Sequence, residues 1–184
     1  KALKSYKLAL ETQLKTPSKM DLNRKAIDGI FSSIDFSKFS KEREKDELIY
    51  AYTKFLQLWP KDPKSPQVHQ KLFAIYLSRS DHKNIEVSLN NFIKAYPKDK
   101  ETHRKLFKQW MDLSIAQKKP YLLATLVNEM QKGKLGFQKA EIKKAEVILA
   151  TLLFGKFQKM NKKGDTEGAI TGYKKIFYDI HYPQ

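Results

Sequence analysis

His69-Gln70-Lys71-Leu72-Phe73 returns 34 residues later as His103-Arg104-Lys105-Leu106-Phe107, and Tyr76 is matched by Trp110 at the same offset. Just upstream, Phe55-Leu56-Gln57-Leu58-Trp59-Pro60-Lys61-Asp62 returns as Phe92-Ile93-Lys94-Ala95-Tyr96-Pro97-Lys98-Asp99 at an offset of 37. The three additional residues fit the longer loop that contains Pro63 and Pro66. A period near 34 made of two helices and two turns is the signature of an α-solenoid. Each unit is too small to bury its own apolar face, so neighbours stack and share a continuous core.

The residues around this repeat carry helical periodicity. Leu48, Ile49, Tyr52, Phe55, Leu56 and Trp59 lie at steps of one, three, three, one and three, a single stripe along a helix of about 3.6 residues per turn. The same stripe appears in Leu22, Ala26, Ile27, Ile30, Phe31 and Ile34, and in Ala169, Ile170, Tyr173, Ile176, Phe177 and Ile180. Local chemistry sets the boundaries. Ser65-Pro66 offers a capping hydroxyl ahead of a proline at the first helical position, and Lys119-Pro120 marks another start. Asp21, Asp99 and Asp165 are candidate caps, and Gly164 can take the left-handed conformation that ends a helix. These signals predict nine helices, over 2–15, 21–34, 43–59, 66–79, 84–96, 101–116, 120–131, 138–161 and 167–180. Most connections are short enough to make neighbours antiparallel, and no segment shows the alternation of a hairpin sheet. The expected fold is all-α, an α-solenoid of antiparallel helix pairs forming one domain over 1–184. The recognisable repeats cover 40–180, and 1–39 supplies leading helices.

Composition narrows the chemistry. Lys and Arg number 36 against 20 Asp and Glu in 184 residues, a formal charge of +16. The excess is +3, +5, +5 and +3 over 1–50, 51–100, 101–150 and 151–184, so it is spread and not gathered in a basic arm. Pairs such as Lys118-Lys119, Lys143-Lys144, Lys162-Lys163 and Lys174-Lys175 read first as solvated faces. Cysteine is absent, which removes disulfides, thiolate metal sites and cysteine nucleophiles. The longest apolar stretch, Val147 to Phe154, is broken by Thr151 and falls far short of the roughly 20 residues a bilayer crossing needs. The chain starts at Lys1 without an initiator Met, so a fragment or a processed chain is expected.

These features resemble the tetratricopeptide repeat family. Leu72 and Tyr76 match the family's first helix, Pro60 and Pro97 its closing proline, and Gly164, Asp165, Ala169 and Tyr173 its turn and second helix. Phe73 and Phe107 stand where the family has a small residue, and Ile85 where it has Ala, so the match is to a divergent repeat. The resemblance implies a right-handed superhelix whose first helices line a concave groove. It places Gln70 with Ala74, and Arg104 with Lys108, toward that groove, as a partner-binding surface for an acidic protein, an acidic peptide or a terminal carboxylate. The ending Phe92-Ile93-x-x-Tyr96-Pro97-x-Asp99 looks like the repeats of bacterial envelope proteins, the outer-membrane assembly lipoproteins and periplasmic division coordinators. That likeness implies a periplasmic or envelope location, with the cytoplasm as the alternative.

The remaining residue types point away from catalysis. His69, His82, His103 and His181 form no metal pattern, and the first and third are explained by the repeat. Gly133 and Gly136 lack the spacing of a phosphate loop. Glu42, Glu44, Asp46 and Glu47 alternate with Arg43 and Lys45 as a mixed-charge helix surface, not an acid–base dyad. Trp59, Tyr96, Trp110 and Tyr173 recur at helical spacing and are expected to pack in the core. The expectation is a non-catalytic protein-interaction scaffold, with no catalytic residues, metal or cofactor. Two alternatives stand beside it: a helical-repeat protein that binds nucleic-acid backbone through its lysines, and a helical accessory domain of a larger envelope enzyme. Against the first, only Arg24, Arg43, Arg79 and Arg104 are available for forked phosphate contacts.

Overall fold

Seven α-helices and no strand occur among the described residues of the computed structural model, which are 42–181 together with Leu8 and Thr12. They are α1 (Glu42–Leu58), α2 (Ser65–Ser78), α3 (His82–Ala95), α4 (Lys100–Ala116), α5 (Pro120–Gln131), α6 (Lys139–Lys162) and α7 (Thr166–His181). The fold is all-α, and every one of these helices begins and ends within two residues of its expected bounds. The helices expected over 2–15 and 21–34, and the cap at Asp21, lie outside the described residues. Leu8 and Thr12 are the exceptions; both are helical, and the Thr12 hydroxyl donates to the Leu8 carbonyl at 2.7 Å.

The chain divides between Tyr96 and Pro97 into two compact units. In the first, α1 packs on α2 and α2 on α3; in the second, α4 packs on α5, α5 on α6 and α6 on α7. The apolar stripes seen in the sequence are the buried faces. Leu48, Tyr52 and Phe55 of α1 meet Val68 and Leu72 of α2. Ile85, Leu89 and Phe92 form the buried stripe of α3. In the second unit the stripes are Leu106, Phe107 and Trp110, then Leu123, Leu126 and Val127, then Leu149, Leu153 and Phe157. Each such side chain contributes roughly 1.5–3 kcal/mol on burial, so the stripes and not helix propensity hold the hairpins together.

One turn is built three times. After α2, α4 and α6 the chain passes through a single left-handed residue, Ser80 (φ 55°), Lys118 (φ 52°) and Gly164 (φ 90°). The amide of the next residue reaches back five positions: Asp81 to the Tyr76 carbonyl at 3.1 Å, Lys119 to Ser114 at 3.0 Å and Asp165 to Met160 at 3.1 Å. This is the Schellman arrangement, which satisfies the last carbonyls of a helix. The next helix begins at once, so each turn returns the chain alongside the helix it has just left. Asp81 and Asp165 then accept N–H groups of the following helix, from Asn84 (3.2 Å) and Gly168 (3.0 Å). Asp99 caps α4 through the Thr102 amide at 3.1 Å, as the sequence suggests.

Ser65 departs from its expected role. Lys64 holds the N-cap position of α2 without a side-chain cap, and Ser65 is already helical and fully buried. Its hydroxyl donates to the Trp59 carbonyl at 2.7 Å. That carbonyl belongs to the C-terminal end of α1, so Ser65 closes the loop between the two helices instead of opening the second. The aromatics do pack: Trp110 is buried, and Trp59 and Tyr96 lie against Phe55 and Phe92 at centroid distances of 5.4 and 4.9 Å. Tyr173 meets Phe157 edge-on at 5.7 Å.

Candidate functional site

The capped start of α3 positions one wall of a groove in the first unit. Asn84, Val87, Ser88, Asn91 and Ala95 recur at steps of three, one, three and four, so they form one flank of α3, about 16 Å long at about 1.5 Å per residue. Opposite stand Thr53, Leu56 and Gln57 of α1, and His69, Leu72 and Tyr76 of α2 form the floor. Together they enclose a cavity of about 340 Å³. In a chain that is 30% Asp, Glu, Lys and Arg, none of these eleven residues is one of them.

Burial shifts both titratable members toward their neutral forms. His69 is half-buried, its ring edge-on to Phe92 and to Tyr96 at 5.8 Å each, and burial pushes its pKa below the ordinary histidine value. Burial raises the Tyr76 phenol, and the Asp81 carboxylate adds to that effect. Asn84 is oriented by Asp81, whose second oxygen accepts the Asn84 side-chain N–H at 2.7 Å. That contact leaves the Asn84 amide oxygen as an acceptor at the groove. Ser88 is 4% exposed, and its hydroxyl has no hydrogen-bond partner among the described residues. A buried hydroxyl left unmatched costs about 1–3 kcal/mol. The groove therefore suits an uncharged polar ligand that offers both donors and acceptors, as the backbone and amide side chains of a polypeptide do.

The residues singled out in the sequence fall in other places. Ala74 lines a second cavity of about 370 Å³ on the other flank of α2, with Lys45, Leu48, Tyr52 and Lys71. Gln70 is half-buried on α2 and lines neither cavity. Arg104 and Lys108 sit one turn apart on α4, in the second unit. Lys108 Nζ is 2.6 Å from Glu141 Oε1 in the first turn of α6 and 5.9 Å from the centre of the Phe137 ring. The Lys108 ammonium, followed by the Gln138 amide, holds the Glu141 carboxyl below its usual value, and the Arg104 charge adds to the effect. Part of the anion those two cations were expected to attract is thus already supplied by this chain.

Asn84, Ser88 and Asn91 were missed in the sequence. Their signal is a polar stripe at helical spacing within an otherwise amphipathic helix, and it becomes a site only because α1 and α2 leave that flank uncovered. Among the described residues no group of three His, Cys, Asp or Glu could hold a metal ion, and no helix is long and apolar enough to cross a membrane. Comparisons with protein-family models, with curated proteins and with solved structures return no match.

Proposed function

We propose that this chain is a non-catalytic interaction scaffold, a divergent helical-repeat protein of tetratricopeptide type, whose groove across α1, α2 and α3 takes up an uncharged segment of a protein partner. The observation that carries this reading is the charge-free wall of eleven residues with the buried, unmatched Ser88 hydroxyl in it. The thrice-repeated turn supports the repeat character, since stacked hairpins of one type are the usual means of presenting an extended binding surface. The superhelical arrangement and the bacterial envelope location belong to the same proposal and rest on the resemblance carried by Tyr96-Pro97-x-Asp99 and its counterparts.

The test uses a photo-crosslinking residue in place of Val87, an exposed position on the groove wall. Crosslinks are collected from envelope and cytosolic fractions after nuclease treatment. The expected result is capture of a discrete protein that is lost when exposed Asn91 is changed to Trp, which blocks the groove and spares the core. Capture that survives Asn91→Trp, or that disappears with nuclease, would overturn the reading.

A further inference from the structure

In the second unit five lysines gather at one end of the α5–α6 pair. Tyr121, in the first turn of α5, is 59% exposed, and Lys156 of α6 lies over its ring with Nζ 3.9 Å from the centroid. Lys159 and Lys163 follow Lys156 at three and seven residues, which keeps them on the same flank of α6, about 4.5 and 10.5 Å further along its axis. Lys118 and Lys119 form the turn that leads into α5, so they stand at the same end as Tyr121. None of the five makes an ion pair with a described residue. Of the carboxylates at this end, Asp165 accepts the Gly168 amide at 3.0 Å, and Asp112 and Glu167 are exposed and form no ion pair with the five lysines, which outnumber these acids.

Folding does not call for a lysine at position 119. A lysine near the C-terminus of α6 complements the negative end of that helix, and Lys118, just past the C-terminus of α4, does the same there; Lys119, however, holds the N-cap position of α5, where a cation is unfavourable. Lys119 occupies the position that holds an Asp in both of the other hairpin turns, Asp81 and Asp165. Lys118 occupies the left-handed position, φ 52°, that glycine fills in the third turn. At Lys119 a local rule is broken in favour of positive charge, and such breaches concentrate at functional sites.

We propose that this lysine end, formed by Lys118, Lys119, Lys156, Lys159 and Lys163, is the docking site for a carboxylate-rich segment of a protein partner. The inference rests on the scaffold reading and adds a second, electrostatic contact remote in sequence from the uncharged groove. Charge complementarity selects the anion, and composition selects protein over nucleic acid. The cluster has no arginine fork for phosphate, and Lys156 covers one face of the only aromatic ring it contains. Carboxylates on alternate residues of an extended strand are about 6.6 Å apart, close to the axial step of about 6 Å from Lys159 to Lys163.

The experiment is a fluorescence-anisotropy titration of the whole chain with a labelled decapeptide of alternating Glu and Ser, and with a labelled single-stranded DNA of mixed sequence. Four variants are compared. Lys118→Glu with Lys119→Glu and Lys156→Glu is expected to weaken peptide binding about tenfold or more, in line with the loss of several charge contacts. Lys61→Glu with Lys83→Glu and Lys94→Glu makes the same change in net charge on exposed positions of the first unit and is expected to cost less than about threefold. Lys118→Gly with Lys119→Asp restores the usual turn chemistry, so it is expected to raise thermal stability while still weakening the peptide. An equal loss in the first-unit variant, or DNA bound more tightly than the peptide, overturns the site. Asn91→Trp is expected to leave decapeptide binding unchanged, so failure here with groove crosslinking intact removes this site alone and leaves the scaffold reading standing.

Discussion

Ser80, Lys118 and Gly164 occupy the same backbone position in three turns, yet only one of them is the residue that position favours. A side chain in the left-handed region costs about 1 kcal/mol, partly offset because glycine also gains freedom in the unfolded chain. Ser80→Gly is therefore expected to raise the urea midpoint by the equivalent of about 0.5 kcal/mol, and Gly164→Ala to lower stability by about 1 kcal/mol. A lower midpoint for Ser80→Gly would contradict the turn assignment. Gly172 obeys a different rule. It is a buried residue of α7, and a Cβ there would fall within the ring of Phe157 on α6. Helix propensity alone favours Gly172→Ala by up to about 1 kcal/mol, but overpacking costs about 1–3 kcal/mol, so the expected outcome in thermal denaturation is a net loss. Gly164 was legible in the sequence because it follows a long apolar stripe. Gly172 was not, because the side chain that requires it lies 15 residues away on another helix.

The elements were legible for the same reason: a stripe of period 3.6 declares both the helix and the face it buries, wherever its partner lies. Contacts between elements were not. Arg79, just past the end of α2, reaches the start of α1, with Nε 2.8 Å from Glu42 Oε2, Nη1 2.7 Å from Asp46 Oδ1 and Nη2 donating to the Glu42 carbonyl at 2.7 Å. In sequence those two acids belong to a solvated mixed-charge surface; in the structure they anchor one helix to the next. Arg79→Leu is expected to speed hydrogen exchange of the amides in the first two turns of α1 and to leave α3 unaffected. Uniform acceleration across the first unit would show that the residue matters for packing and not as an end clamp. Lys108 makes the matching contact in the second unit with Glu141, 33 positions away. That separation is why the sequence assigned Lys108 to a ligand.

Among the described residues the shifted groups give the acid dependence one sign. Glu42 is held below the usual carboxylate range by the Lys45 ammonium and then by Arg79, Glu141 by Lys108, and Asp81 by its hydrogen bonds from Asn84. A carboxyl lowered in the folded state contributes stability above its unfolded pKa and loses it as pH falls through the folded value. His69, lowered by burial, contributes above about 6.5 and loses that contribution as the pH drops below it. Stability is therefore expected to fall on acidification, and more steeply once carboxyls protonate, while like-charge repulsion on a +16 chain grows. Glu42→Gln with Glu141→Gln should flatten the acid limb of a denaturation-midpoint profile; an unchanged limb would place the acid sensitivity elsewhere.

The sequence by itself determined the all-α class, the bounds of seven helices and the faces they bury, because periodicity and capping act within a few residues and need no knowledge of the partner. The tertiary structure decided which flanks remain open and which charges are already matched. It turned Lys108 toward Glu141, left a charge-free groove beside Ser88, and laid Lys156 over Tyr121 at the end of α5 that Lys118 and Lys119 lead into. A site is made of what packing leaves over, and that remainder depends on contacts across tens of residues that no local pattern encodes.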